Sequence, residues 1–122
     1  MSDTEALEWA LQAATTAADQ GATSDLHVSE RVAQAGSAAI ESLRSCETHP
    51  AWRLQMPGVP DPLLETRHDV RAAAQAVLGQ LELIGLAWAS WDRSTQSEML
   101  GELEDSSREL ASQAQRFIRD VA

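Results

Sequence analysis

One histidine in this chain stands in a setting that suits chemistry. His68 is followed directly by Asp69, and Arg71 comes three residues after the histidine. An imidazole is a nucleophile that titrates near neutral pH, and a nearby carboxylate or guanidinium can hold a proton or offset a negative charge. No other grouping in the sequence points as clearly to chemistry, so these three residues are the candidate site.

The spacing of apolar residues places this trio on the polar side of a long predicted helix. Apolar side chains recur in alternating steps of four and three residues, which is the pattern of a heptad seam. His68 and Asp69 immediately precede the first seam position, so both are expected to face solvent or the flank of the helix. A solvated histidine without a role is the simplest alternative. The seam residues are Val70, Ala74, Val77, Leu81, Ile84, Trp88 and Trp91.

The segment around His68 resembles the H-box of sensor histidine kinases. That motif has a phosphoaccepting histidine followed by an acid, an aliphatic residue and an arginine. Further along the motif come an aliphatic residue and a small residue, and the motif ends with an acidic residue followed by two aliphatic ones. The resemblance extends more loosely to residues 63–121, because the family's dimerisation and phosphotransfer domain is also two long antiparallel helices, and it does not cover residues 1–60. The matching residues are His68, Asp69, Val70, Arg71, Val77, Gly79 and the run Glu82, Leu83 and Ile84.

The sequence departs from the family in ways that limit the expected activity. Ala72 and Ala73 stand where the family often has threonine or asparagine and then proline. The usual kink and the polar residue that assists dephosphorylation are therefore missing. The 122 residues also leave no room for an ATP-binding domain and include no glycine-rich nucleotide loop. We expect neither phosphatase activity nor autophosphorylation with ATP, and no cofactor.

A phosphoaccepting histidine without a kinase domain resembles a histidine phosphotransfer protein, the small acidic helical carrier of a two-component phosphorelay. On that resemblance His68 exchanges a phosphoryl group with the aspartyl phosphate of a response-regulator receiver domain. Asp69 binds the ring or accepts a proton, and Arg71 offsets the phosphoryl charge. The predicted partners are a receiver domain, a histidine kinase or both. The alternative is a non-enzymatic adaptor or decoy that binds such a partner through the helical hairpin.

A metal-binding bundle is a further alternative with little support from the sequence. Glu65 and His68 have the Glu-x-x-His spacing of di-iron bundles, but the sequence holds no second copy. Cys46 and His49 have a zinc-like spacing. His27 is too far from them, because the nineteen intervening steps of a continuous helix span about 28 Å. Cys46 on an apolar line is more simply a small buried residue, and we expect no metal.

The charge and the single cysteine exclude several classes of protein. The chain has 19 acidic residues and 9 basic ones, for a net charge of −10. This balance argues against phosphate contacts with nucleic acid and against an anionic membrane surface. The acidic N-terminus is unlike a signal peptide, and we expect no run long and apolar enough to cross a bilayer. Cys46 alone cannot form an internal disulfide, as is usual in a reducing compartment, so we predict a cytoplasmic protein.

The helical segments predict one all-α domain over residues 1–122, an antiparallel bundle of four helices. The N-terminal pair, residues 3–47, is expected to hold helices over about Asp3–Gln20 and Asp25–Glu47. Ser2 or Asp3 is predicted to cap the first helix and Ser24 the second, with Gly21 in the left-handed region between them.

Residues 48–62 are a proline-rich connection, because four prolines there exclude a continuous helix. Its Trp52, Leu54 and Met56 are expected to pack across the bundle, and Pro62 to open the third helix. The hairpin of residues 63–121 carries the His-box. We predict its helices over about Leu63–Trp91 and from Ser94 or Thr95 onward, the second with a capping box of Thr95 and Glu98.

Two assemblies fit this pattern. Either the four helices close as a monomeric bundle, or the hairpins of two chains pair into a dimeric core with the first two helices outside. Leu78, Leu83 and Leu86 widen the apolar face of the third helix beyond one seam. This breadth, with the resemblance, favours the homodimer.

Overall fold

Four helices account for most of the chain in the structure, a computed structural model that describes residues 2–20, 27–53, 58 and 60–121. The described residues form no strand, and the predicted all-α four-helix bundle is confirmed. Two short 3₁₀ helices, Pro50–Trp52 and Trp88–Ser90, lie in the connections. The long helices are α1 (Asp3–Gln20), α2 (Val28–Glu47), α3 (Leu64–Ala87) and α4 (Arg93–Val121).

Consecutive helices form two antiparallel pairs, α1 with α2 and α3 with α4. At one end of the bundle α1 begins beside the end of α2, where the backbone N–H and the hydroxyl of Thr4 both donate to Glu47. At the same end α3 begins beside the end of α4, where the Thr66 hydroxyl lies 3.4 Å from Asp120. We call this end, where α1 and α3 begin, the proximal end.

The two pairs pack against each other with α2 parallel to α4. Near the start of α2, Arg31 donates two hydrogen bonds to Glu104 of α4, of 3.1 and 2.5 Å. Near the end of α2, the Cys46 thiol lies 3.9 Å from the carbonyl of Ala114. The remaining large contact joins α1 to α3, so α2 and α3 occupy opposite corners of the bundle. The connection between them must therefore cross the proximal end.

Trp52 anchors this connection in the core. Its side chain is buried, and its ring meets that of Phe117 edge-on with centroids 5.3 Å apart. His49 contacts the same phenylalanine edge-on at 5.9 Å. The prediction that Trp52 packs across the bundle is confirmed, while Leu54 and Met56 lie outside the described residues.

The predicted seam of α3 fills the centre of the bundle. Every seam position up to Trp88 is buried, and only Trp91 remains partly exposed. The chain thus covers this seam with its own helices. Leu83 and Leu86 do not join the core: they are 49% and 87% exposed, although α3 packs against both α1 and α4.

The small residues of α2 allow a close approach to α1. A Cβ atom added at Gly36 would meet the end of the Leu11 side chain, which would have to shift to admit it. The acidic stripe of α4 faces solvent, as expected for a polar helix face. Its members are Glu98, Glu102, Asp105 and Glu109.

The helix ends agree with the sequence at α1 and differ at α3 and α4. The third helix, predicted to run to about Trp91, ends at Ala87 and is followed by the 3₁₀ helix Trp88–Ser90. The Ser2 hydroxyl accepts the Glu5 N–H at 3.1 Å, which confirms it as a cap. The predicted start of the fourth helix at Ser94 or Thr95 is wrong, because Asp92 accepts the Thr95 N–H at 2.8 Å and caps the helix instead. This hydrogen bond lowers the pKa of Asp92. Ser24 and Gly21 lie outside the described residues.

The expectation that no run is long and apolar enough to cross a bilayer is wrong, because the stretch Leu64–Ser90 meets that criterion by length and composition. A third of its most apolar part is buried in the bundle. The central helix of a bundle meets the same criterion, because its seam must be apolar to fill the core.

The Arg31–Glu104 pair predicts an acid-sensitive contact between α2 and α4. Hydrogen bonding from Arg31 lowers the pKa of Glu104 below its ordinary value of 4.5. The pair therefore stabilises the fold above about pH 4.5 and loses this effect as the pH falls through the lowered pKa. We expect Glu104→Gln to cost about 1 kcal/mol of unfolding free energy at pH 7 and progressively less below pH 4.5.

Urea denaturation at several pH values between about 3 and 7 measures the difference in unfolding free energy between Glu104→Gln and the wild type. The control is Glu102→Gln on the exposed acidic stripe, which should change stability by less than about 0.5 kcal/mol at any pH. A loss in Glu104→Gln that does not vary with pH would contradict the role of the pair.

Candidate functional site

His68 projects into solvent from the second turn of α3, at the proximal end. Its side chain is 78% exposed, which confirms the predicted orientation. The ring nitrogen Nδ1 lies 3.5 Å from a carboxylate oxygen of Asp69. Among the described residues no hydrogen bond engages Nε2, so this nitrogen can be reached from outside.

Asp69 stands between the histidine and α4. Its Oδ1 faces His68, and its Oδ2 lies 3.8 Å from a guanidinium nitrogen of Arg116. The carboxylate is about two-thirds buried, which limits the positions it can take. A carboxylate beside Nδ1 favours the tautomer that carries its proton there, and this leaves the Nε2 lone pair free for nucleophilic attack.

Arg71 occupies the next turn of α3, as its spacing predicts. Its guanidinium lies over the ring of Trp52, 4.8 Å from the ring centroid. A cation in this position is attracted by the electron-rich ring face. No hydrogen bond joins Arg71 to His68 among the described residues, and the contact that holds this guanidinium is the one with the Trp52 ring.

Arg67 is the residue that the sequence analysis missed. It precedes His68 directly, yet it is fully buried. One guanidinium nitrogen donates to the carbonyl of Ala51 at 3.2 Å, and the other forms an ion pair with Asp61. Burial lowers the pKa of Arg67, and the nearby charge of Arg71 lowers it further. The guanidinium nevertheless stays protonated at neutral pH, because arginine starts from a very high pKa.

The turn before α3 prepares Asp61 for this contact. One carboxylate oxygen of Asp61 accepts the Leu63 N–H at 3.0 Å, and its carbonyl accepts the Leu64 N–H at 3.2 Å. The other carboxylate oxygen binds Arg67. Pro62 therefore lies in the turn, and the helix begins at Leu64 rather than at the proline. This single aspartate fixes both the start of α3 and the direction of Arg67.

Cys46 and His49, which have a zinc-like spacing in the sequence, are engaged in other interactions in the structure. Burial is the main cause that raises the pKa of Cys46 to about 11, so its thiol is protonated at neutral pH. His49 accepts the Ala51 N–H at Nδ1, at 3.1 Å. In the described part of the chain, no three or more His, Cys, Asp and Glu side chains are grouped so that they could hold a metal ion.

Comparison with known protein families, with curated proteins and with solved structures finds no match for this chain. The function must therefore be argued from the site itself. The structure brings His68 and Asp69 together, adds Arg116 from α4, and holds Arg71 one turn away on Trp52.

Because Arg67 is buried, neutralising its partner Asp61 is expected to lower the stability of the fold more than neutralising an exposed acid does. We expect Asp61→Asn to lower the unfolding free energy by about 2 kcal/mol, because it keeps an acceptor for Leu63 but leaves a buried cation without its counter-charge. Asp105→Asn is the control, since the exposed Asp105–Arg108 pair should contribute less than about 0.5 kcal/mol.

Urea denaturation measures both variants. Adding Arg67→Met to Asp61→Asn should restore part of the loss, because the uncompensated charge is then removed. Equal losses in Asp61→Asn and Asp105→Asn would contradict the assigned role of Arg67.

Proposed function

We propose that this chain is a histidine phosphotransfer protein of a two-component phosphorelay in the cytoplasm. It accepts a phosphoryl group on His68 from the aspartyl phosphate of a receiver domain and donates it to another. The proposal rests on the resemblance of the segment to an H-box and on one observation from the structure. That observation is the 78% exposure of His68, with a carboxylate facing Nδ1 and no partner engaging Nε2 in the described part of the chain.

The placement of the ring suits transfer between two proteins. A phosphoaccepting histidine must enter the partner's active site, so it needs exposure on a rigid support. His68 stands on α3, whose opposite side is fixed by the central seam of the bundle. The neighbouring Arg67 holds this part of the helix through its buried contacts.

The transfer step uses the two ring nitrogens differently. The Nε2 lone pair of His68 attacks the phosphorus of the partner's aspartyl phosphate, an N–P bond forms, and the bond from phosphorus to the carboxylate oxygen breaks. The leaving group is the partner's free carboxylate. Nδ1 keeps its proton, and the positive charge that develops on the ring is balanced by Asp69 at 3.5 Å. Donation is the reverse of these steps.

The direct test is phosphoryl transfer from receiver domains encoded in the same genome, each phosphorylated on its aspartate with radioactive phosphate. We expect acid-labile label to move to this chain, and His68→Ala to reduce the transfer by about 100-fold or more. His27→Ala is a matched control, because His27 is also exposed and lies 3.8 Å from an acid, Glu30. It should leave transfer unchanged.

Two outcomes would contradict the carrier function. Transfer that persists in His68→Ala would place the chemistry elsewhere. Stoichiometric binding to a receiver without transfer of label would favour the adaptor, which uses the same helical hairpin but not the nucleophilic nitrogen.

Arg71 is expected to influence the rate of transfer rather than the fold. Its guanidinium lies on the turn that follows His68, where it can offset charge on the transferring phosphoryl group. We expect Arg71→Ala to slow transfer by about 10-fold. Arg108→Ala, which removes an exposed guanidinium paired with Asp105, is the control. Equal rates in the two variants would exclude a role for Arg71 in transfer.

A further inference from the structure

A second apolar line runs along α3, on the side opposite the buried seam. Its positions recur in steps of four and three residues, like those of the seam itself. All five residues are exposed, and the two leucines are 49% and 87% exposed. We call this line the outer stripe, and it consists of Ala72, Ala76, Gly79, Leu83 and Leu86.

The outer stripe makes α3 apolar on two sides, while the chain covers only one of them. The stretch that is apolar enough to cross a bilayer lies along this helix, although only a third of its most apolar part is buried. A helix that is apolar all round is normally buried all round. A single exposed leucine needs no explanation, but a continuous apolar line is typical of an interaction surface.

The charge of the stripe limits what can cover it. The five positions of the stripe carry no charge, although the exposed Glu82 borders it, in a chain whose net charge is −10. Two copies of an acidic chain repel one another over most of their surfaces, so an uncharged face is where they can meet at least cost. An anionic bilayer would repel the same acidic chain.

The order of side chains along the stripe is self-complementary. Gly79 lies at its centre, with the two alanines before it and the two leucines after it. Ala72 and Leu86 are each seven residues from Gly79, a distance of about 10 Å along the helix. An antiparallel copy that crosses at Gly79 therefore places each leucine pair over the partner's alanine pair, and large side chains fill the space left by small ones.

We propose that a second copy of this chain docks on the outer stripe, antiparallel, with a two-fold axis passing close to Gly79. This dimer leaves the central seam within each bundle, unlike a pairing of hairpins into a shared core. The stripe is about 21 Å long, so the contact lies at the small end of specific interfaces, below about 1,200 Å². The dimer is therefore weak and depends on concentration. The outer stripe begins four residues after His68, on the same side of α3, but the dimer is argued without phosphoryl transfer, so either proposal can fail alone.

Cysteine cross-linking tests the position of the axis. A Cβ at Gly79 meets no atom within 4 Å, so Gly79→Cys should fold normally. Next to a two-fold axis this cysteine faces its own copy, and mild oxidation should give a disulfide-linked dimer. Ser112→Cys is the matched control, on an exposed position of α4. Cys46 is present in both variants and is buried.

The expected result is a covalent dimer in Gly79→Cys, well above the level in Ser112→Cys and abolished when Leu86→Asp is added. Circular dichroism of both variants verifies that the helices are intact. Cross-linking of Gly79→Cys at the control level would overturn the proposed axis.

Sedimentation equilibrium tests the dimer in the wild-type chain. We expect the dimer fraction to rise over the micromolar to millimolar range, and Leu86→Asp to weaken the association by about 10-fold or more, because it brings two carboxylates into an apolar contact. Ile118→Asp is the control, since Ile118 is an exposed apolar residue of α4 outside the stripe. Equal effects of the two substitutions would overturn the proposal. A wild-type chain that stays monomeric over this concentration range would also overturn it. If that monomer binds phosphatidylcholine vesicles, the stripe is a bilayer-binding surface instead.

Discussion

The buried guanidinium of Arg67 is the constraint on which the proximal end of the bundle depends. A charged group in the core must be paired and hydrogen-bonded, because leaving it without partners costs several kcal/mol. Here the partners come from the chain before α3: the carbonyl of Ala51 and the carboxylate of Asp61. The interaction fastens the connection between opposite corners of the bundle to the helix that carries the candidate site. It also holds Trp52 in the core, where the ring supports Arg71.

His68 follows Arg67 directly. Successive residues of an α-helix are turned by about 100° from one another, so His68 lies about a quarter turn around the helix from the buried Arg67, on the exposed side. The carboxylate of Asp69 then falls between His68 and Arg116 of α4. An exposed nucleophile is thus supported by a buried framework. This arrangement suits a carrier protein, which presents its histidine to other proteins and relies on their active sites for catalysis.

The sequence predicts the parts of this structure that depend on local periodicity. The limits of α1, the seam of α3 and the exposure of His68 follow from spacing alone, because a helix maps sequence steps onto its faces. The burial of Arg67 could not be predicted in this way. Arginine is almost never fully buried, and its partners here lie in a connection whose path depends on the packing of all four helices. A closer signal was available in Asp61, which stands before a proline and six residues before Arg67.

The proposed phosphoacceptor role of His68 can be measured without any partner protein. Phosphoramidate can phosphorylate an accessible histidine, and phosphorus NMR distinguishes the two ring nitrogens of the product. We expect one acid-labile resonance of an Nε2-phosphohistidine that is absent in His68→Ala and retained in His27→Ala. A signal that is shared evenly among His27, His49 and His68, or that survives in His68→Ala, would contradict this role.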